Sequence, residues 1–359
     1  PIEEKIRKAL EGTETAVSNQ QQLWDEVSQL VISPLAKQLE SSEQIFISPD
    51  GELNRVPFAA LKNSDSNQFL GEEKRIRLLT TGRELLDLEK DSNISNQKPL
   101  VVANPSFDLN IATNETTSTT NQKRSGDLLS QAWELLPGTE IEGKAIAKIT
   151  EAELLTKERA TALAIQKTDA PKVFHVASHA YYLPDIRKGE HPLLRSGIVL
   201  AGANQPSKNK KDDGYLTALE VTKLNFNGTE MVVVSGCESG KGDIQSGEGV
   251  YGLKRAIAVA GARSSLLSLW KVDDSATAAF MEGFYQKLKE GQERAEALSA
   301  TQRDFREQRI TSIDPLIDID IERTFDPELA TLKFFKLEDV SQTGYYASGV
   351  FIEKWDEGH

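Results

Sequence analysis

KVFHVASHA (residues 172–180) and EMVVVSGCESGKGD (230–243) are built alike: an apolar run stops abruptly at a polar segment, which carries a histidine in one case and the chain's single cysteine in the other. Both runs read as strands, bounded by turn residues and too short for a helix. SGIVLAG (196–202) and ARSSLLSLW (262–270) read as further strands, and a helix at 275–289 closes the series. From LPGTEIEGKAIAKIT (136–150) through EAELL (151–155) and a helix near 157–167, strand and helix alternate. Alternation of this kind predicts an α/β fold with a mostly parallel sheet flanked by helices.

Ahead of that region, Leu23, Val27, Leu30, Val31, Leu35 and Leu39 recur at near-helical spacing, so residues 1–40 read as helical, with Pro34 kinking or dividing the helix. IFISPDG (45–51) and PLVVANP (99–105) read as strands. NIATNETTSTTNQKRSGD (110–127) is too hydrophilic to pack and reads as a mobile surface loop. Residues 306–340 are charged, contain Pro315 and Pro327 and fit neither period; YYASGVFIE (345–353) reads as a final strand. No internal repeat is visible. A chain of 359 residues exceeds the size at which single cores stop growing, so two lobes are expected, divided as 1–135 and 136–359.

The chain is 38% hydrophobic and 27% charged, and it has no apolar run long enough to span a bilayer. Its net charge of −13 and pI near 5.0 argue against broad nucleic-acid binding, which needs a basic surface to displace counterions. A basic protein or peptide is the more compatible partner. A lone cysteine rules out an internal disulfide framework and a Cys-rich zinc site, leaving one thiol that is either buried filler or reactive, and an intracellular setting follows. Residues 1–20 lack the apolar core of a secretory signal, and Pro1 in place of Met points to a fragment or a processed start.

Ligands of α/β sheets gather beyond the carboxyl ends of the strands. VFHVAS leads into His179 and MVVVSG leads into Cys237, so adjacent parallel strands would deliver an imidazole and a thiol to one sheet edge. Such a pair suits acyl transfer, in which a thiolate attacks a peptide carbonyl and an imidazole protonates the departing amine. Gly236, Ser239 and Gly240 permit a tight turn that presents the backbone N–H of Cys237 to an oxyanion, and the turn after His179 offers a second N–H, that of Ala180. The bland reading makes Cys237 a buried small residue and His179 a satisfied strand-end histidine, and spacing alone leaves both readings open.

Wider segments carry more information. IFISPDGELNRVPFAALKN (45–63), FLGEEKRIRLL (69–79), LPGTEIEGKAI (136–146), VFHVASHA (173–180), HPLLRSGIVLAG (191–202) and the stretch from GYLTALEV to FYQKL (214–288) resemble, in this order, the CHAT domains of clan CD peptidases, relatives of caspases and separase. The resemblance implies a caspase-like sheet, here preceded by a pseudo-caspase-like lobe within residues 1–135. It also implies a cytoplasmic bacterial cysteine endopeptidase that uses no cofactor, cuts a protein or peptide substrate, and depends on an activating protein or an upstream helical-repeat domain. Carried over residue by residue, His179 is the general acid/base and Cys237 the nucleophile. Two departures are visible: Ala180 stands where Gly usually follows the histidine, and Gly236 where Ala usually precedes the cysteine. Related separases, which cut after Arg, have a similar Trp and Asp pattern after the strand at 262–270, which assigns Trp270, Asp273 and Asp274 to a pocket for Arg or Lys. Alternatively, Asp274 caps the helix that starts near Ser275.

Rival chemistries fit less well. His175 and His179 share a strand face, but Val176 stands where a helical zinc motif needs Glu, so His175 reads as a core histidine and no metal is expected. SGCESGKGD is not a phosphate-binding loop, because Gly242 follows the lysine where Ser or Thr is required. The glycines at 240, 242, 247 and 249 read instead as a mobile loop beside the thiol, the candidate switch for activation. A catalytically silent scaffold that binds partners through this domain is the alternative function.

Overall fold

A computed structural model describes residues 2–15, 18–63, 66, 68–79, 94–109, 132–183, 191–206, 212–236, 239, 242–245, 249–269, 274–307, 309–310 and 350–353. Its strands are β1 (Gln44–Ile47), β2 (Arg75–Leu78), β3 (Leu100–Pro105), β4 (Glu153–Lys157), β5 (Val173–Ala177), β6 (Ala180–Tyr182), β7 (Ser196–Val199), β8 (Tyr215–Thr217), β9 (Met231–Ser235), β10 (Gly242–Gln245), β11 (Gly249–Gly252), β12 (Ser265–Ser268) and β13 (Val350–Glu353). Eight of them form one sheet in the order β1-β2-β13-β12-β9-β5-β3-β4. Every pairing in it is parallel except that of β12 with β13. The chain is therefore α/β with a mostly parallel sheet flanked by helices. No helix among the described residues is long and apolar enough to cross a membrane.

Burial on both faces explains the unbroken apolar runs. Along β9, Val232 and Val234 join Phe174, Val176 and Leu267 in a cluster under the helices Ala162–Gln166 and Leu253–Val259. Met231 and Val233 point to the other face, where they meet Leu266, Phe280, Phe284 and Tyr285 beneath the helices Pro137–Thr150 and Asp274–Lys289. A third cluster joins the N-terminal helices to β1 and β2 through Ile6, Leu10, Trp24, Val27 and Leu78, and includes Leu269, which directly follows β12. β3, from within residues 1–135, pairs with β4 and β5.

Several elements depart from the sequence expectation. The N-terminal helical region is split into Ile2–Glu14, Gln20–Val31 and Ala36–Leu39; the last break, a 3-10 turn that contains Pro34, is the expected division, while the first was not expected. The strand expected at 45–51 stops at Ile47, and Asp50 accepts the Gly51 N–H at 2.8 Å to start a 3-10 turn. The helix expected near 157–167 begins only at Ala162, because Lys157 ends β4 and the Thr161 hydroxyl caps the helix by accepting the Ala164 N–H at 3.1 Å. The strand at 196–202 is not in the parallel sheet: β7 pairs antiparallel with β6 and β8 in a separate three-stranded sheet. Part of the expected 240–249 loop is an antiparallel hairpin, β10 with β11, while Gly240 and Gly247 lie outside the described residues, as does the 110–127 segment. The helix Arg294–Arg306 was not anticipated, since its buried face, Ala295, Ala297, Leu298 and Thr301, is mostly small and carries a weak apolar period. Of the segment at 345–353, Val350–Glu353 is described, and it is a strand.

The helix Pro137–Thr150 lies so close to β3 that a Cβ on Gly143 would sit 2.4 Å from the Ala103 Cβ. We expect Gly143→Ala to destabilise the fold by about 1–3 kcal/mol through overpacking. The urea midpoint should fall with no change in slope, and Ala103→Gly in the same chain should recover part of the loss. An unchanged midpoint in the single variant would show that the helix can shift freely.

Candidate active site

β5 and β9 are neighbours, parallel, and in register from Val173↔Met231 to Ala177↔Ser235. The two strands therefore end level at one edge; His179 follows β5 by two residues, and in the sequence Cys237 follows β9 by two. Cys237 and Glu238 lie outside the described residues; Gly236 and Ser239, on either side of them, are described. The two strand ends touch through backbone. Ser178 N–H donates to the Ser235 carbonyl at 3.3 Å, and a Cβ on Gly236 would lie 2.4 Å from the Ser178 carbonyl oxygen and 3.1 Å from the Ala180 nitrogen. No side chain fits at 236 without moving the peptide that leads into His179, which accounts for glycine there. Ala180 is not among the residues with positive φ, so nothing in its backbone calls for glycine, and its N–H is retained.

His179 is half-buried, more enclosed than an open strand end. Its Nε2 lies 2.8 Å from the carbonyl oxygen of Glu134, and its ring packs on Phe107 and Trp133 with centroids 5.3 and 5.1 Å away. A carbonyl only accepts, so Nε2 carries a hydrogen and, in the neutral ring, Nδ1 keeps the lone pair. Burial disfavours the charged ring and lowers its pKa, with the Glu134 carbonyl and carboxylate opposing the shift. The segment that supplies this carbonyl is itself tied down. Trp133 donates its indole N–H to the Tyr215 hydroxyl at 2.9 Å and its backbone N–H to Asn204 Oδ1 at 2.8 Å, while Asn204 Nδ2 returns a bond to the Trp133 carbonyl at 3.0 Å.

Sequence reasoning missed Trp133, Phe107 and the Glu134 carbonyl. A backbone acceptor leaves no residue-type signature, and the two aromatics come from segments distant in sequence. Asp274 opens the helix Asp274–Lys289, as expected, but its Oδ2 accepts the Gly138 N–H at 2.6 Å and so caps a different helix, Pro137–Thr150, whose own N-cap residue, Leu136, has no capping side chain. A Cβ on Gly138 would sit 2.7 Å from that carboxylate. Trp270 and Asp273 lie outside the described residues. His175 is a core histidine: its Nδ1 is 3.1 Å from the Tyr285 hydroxyl and its Nε2 3.1 Å from Glu142 Oε1, with all three side chains at most 1% exposed. The Tyr285 pKa is pushed well up by burial and by the Glu142 charge.

The family model of the CHAT domain matches residues 21–335. Among curated proteins, the chain is 25% identical over 282 residues to tetratricopeptide repeat protein 28 of Homo sapiens and 24% identical over 275 residues to that of Mus musculus. These matches cover 71% and 69% of this chain but 11% of each relative. Among solved structures, the separase–securin complex of Saccharomyces cerevisiae aligns with a TM-score of 0.45 and 12% identity over 86% of this chain and 15% of that one. The Arg-specific cysteine proteinase gingipain R aligns with a TM-score of 0.43 and 11% identity over 80% and 65% of the two chains.

The depressed pKa of His179 has a sign that can be checked. An unfolded histidine titrates near 6.5. With a lower value in the folded chain, the unfolded state takes up the proton first, so the stability present above about pH 6.5 is lost as pH falls through the folded pKa. The His179 ring should titrate below 6.5 by NMR, and Trp133→Ala, which opens the ring to water, should move the midpoint up. A wild-type midpoint above 6.5 would show that the carbonyl outweighs burial.

Proposed function

The chain belongs to the CHAT domain family, and on that footing we propose that it is a cysteine endopeptidase with Cys237 as nucleophile and His179 as general acid/base. The observation that carries the reading is the in-register parallel pairing of β5 with β9, two strands whose continuations are the histidine and the cysteine. In this scheme His179 Nδ1 takes the Cys237 thiol proton, the thiolate attacks the substrate carbonyl carbon, a C–S bond forms, and the carbonyl oxygen takes up the negative charge. The N–H groups of Ala180 and Cys237 bind that oxyanion. His179 then gives its Nδ1 proton to the departing amine as the C–N bond breaks. Water, deprotonated by the same nitrogen, cleaves the thioester and regenerates the thiol. The bond from Nε2 to Glu134 supports these roles, because it fixes the tautomer and leaves Nδ1 as the atom that exchanges protons.

We assign the residue before the scissile bond to Arg or Lys, held by Asp274 with Asp273 and Trp270 beside it. A partly desolvated carboxylate pairs with guanidinium through two charge-assisted hydrogen bonds that neutral residues cannot replace. In this proposal Asp274 serves both as the cap of Gly138 and as the carboxylate of the pocket. Residues 1–135 form the pseudo-caspase-like lobe of the proposal and 136–359 the catalytic one. A protein activator or an upstream helical-repeat module, acting in a bacterial cytoplasmic pathway, completes it.

The name of the curated relatives favours one second reading, a domain that binds partners without cleaving them. Labelling by an electrophilic peptide separates the two, because a buried structural thiol reacts slowly.

Cys237→Ala and His179→Ala should each reduce peptide cleavage by more than about a thousandfold while keeping the circular dichroism of the parent. Near-parental turnover in either folded variant would remove that residue from the mechanism. Asp274→Asn keeps an oxygen for Gly138 but loses the charge. Its cleavage after Arg should fall by about 10- to 200-fold, the equivalent of some 1.5–3 kcal/mol, with apolar peptides little affected. Equal losses on both peptide classes would leave Asp274 a structural cap only.

A further inference from the structure

Where the ladder between β9 and β12 runs out, at Val234↔Leu267, two serine hydroxyls take over from backbone donors. Ser268 Oγ donates to the carbonyl of Gly236, Ser239 Oγ donates to the carbonyl of Val234 at 3.0 Å, and the Ser268 N–H donates to Ser239 Oγ at 2.9 Å. Both residues are buried, Ser239 at 1% and Ser268 at 4% exposure. Each hydroxyl has a single hydrogen, and each hydrogen is used on a main-chain carbonyl, so the 3.3 Å contact between the two oxygens needs no hydrogen of its own.

The Gly236 carbonyl is half of one planar peptide unit; the other half is the N–H of Cys237. In a trans peptide the two point in opposite directions, so a donor that fixes the carbonyl also fixes the aim of the N–H. It also polarises the unit, making that N–H a stronger donor. We propose that Ser268 is a positioning residue of the peptidase centre: by holding the Gly236 carbonyl, its hydroxyl aims the Cys237 N–H at the oxyanion. This rests on the peptidase reading of the same site. Glycine at 236 lets this peptide lie close to β5, since a Cβ there would sit 2.4 Å from the Ser178 carbonyl oxygen.

The test compares the full chain with Ser268→Ala and Ser268→Thr, using a fluorogenic peptide with Arg before the coumarin amide, a peptide aldehyde of the same sequence, and iodoacetamide. Outright loss of an oxyanion donor costs about 10²–10³ in kcat, and a misaimed donor should cost Ser268→Ala about 10- to 100-fold. KM should hold, aldehyde affinity should weaken by the same factor as kcat, and iodoacetamide should alkylate Cys237 at the parental rate. Ser268→Thr, which keeps the hydroxyl, should behave as the parent. If Ser268→Ala does not fold, Ser268→Cys, a weaker donor of similar volume, should show the same split at smaller amplitude in kcat and aldehyde affinity. Unchanged kcat and aldehyde affinity in the folded variant, or alkylation that slows in step with kcat, overturns the proposal. A parent that neither turns over the peptide nor binds the aldehyde overturns the peptidase reading together with it.

Discussion

The parallel pairing of β5 with β9, and its register, carries the architecture of the sheet edge. Parallel strands that start level end level, so two segments more than fifty residues apart in sequence present their next residues side by side. Register here has a steep cost. Val232 and Val234 lie in one apolar cluster while Met231 and Val233 lie in the other, and a slip of one residue would exchange every side chain between two differently shaped cores. At the strand ends the constraint is steric, because the Ser178 carbonyl fills the space that any side chain at 236 would need.

The hydrogen-bond partner of His179 is a main-chain carbonyl, and backbone must be positioned by the elements it joins. The Glu134 carbonyl is brought to the ring by a short segment held at one end by Trp133 and running at the other into the helix Pro137–Thr150. That helix is pinned at its N-terminus by Asp274 and, one turn on, by the buried contacts of Glu142 with His175 and of His175 with Tyr285. Burying such polar groups costs more than apolar residues of the same volume would, and the approach of Glu142 and the Tyr285 hydroxyl to His175 offsets part of that cost. The return is placement: β5, the helix Pro137–Thr150 and the helix Asp274–Lys289 are tied together directly behind the strand that leads to His179. Asp274 therefore links the candidate substrate pocket to the segment that orients the imidazole.

The other end of the sheet follows a different rule. β1, β2 and β13 run opposite to the remaining five strands, the reversal falling at the antiparallel pair β12–β13. The N-terminal helices bury their apolar stripe against β1 and β2, and Leu269 joins that cluster from the end of β12. One short strand and the residue after it thus meet the central core at Leu267, the Gly236 carbonyl at Ser268 and the N-terminal cluster at Leu269.

The alternation of strand and helix, the mostly parallel sheet and the position of His179 just beyond the end of an apolar strand were legible in the chain alone. Apolar runs such as MVVVS and VFHVA report burial on two faces wherever they fold, and the family segments between residues 45 and 288 are local strings. Element ends were less legible, because Lys157 and Ile47 stop their segments through turn and capping geometry rather than through periodicity. The separate sheet of β6, β7 and β8 was hidden for a related reason: an apolar strand reads the same in a parallel or an antiparallel ladder when both of its faces are covered. Only the folded chain could show that a carbonyl 45 residues upstream holds the histidine, that Asp274 caps a helix 136 residues away, and that Ser268 grips the peptide before the cysteine. These are contacts of main-chain atoms, which every residue type shares, so composition and spacing carry no trace of them, and tertiary packing alone chooses their partners.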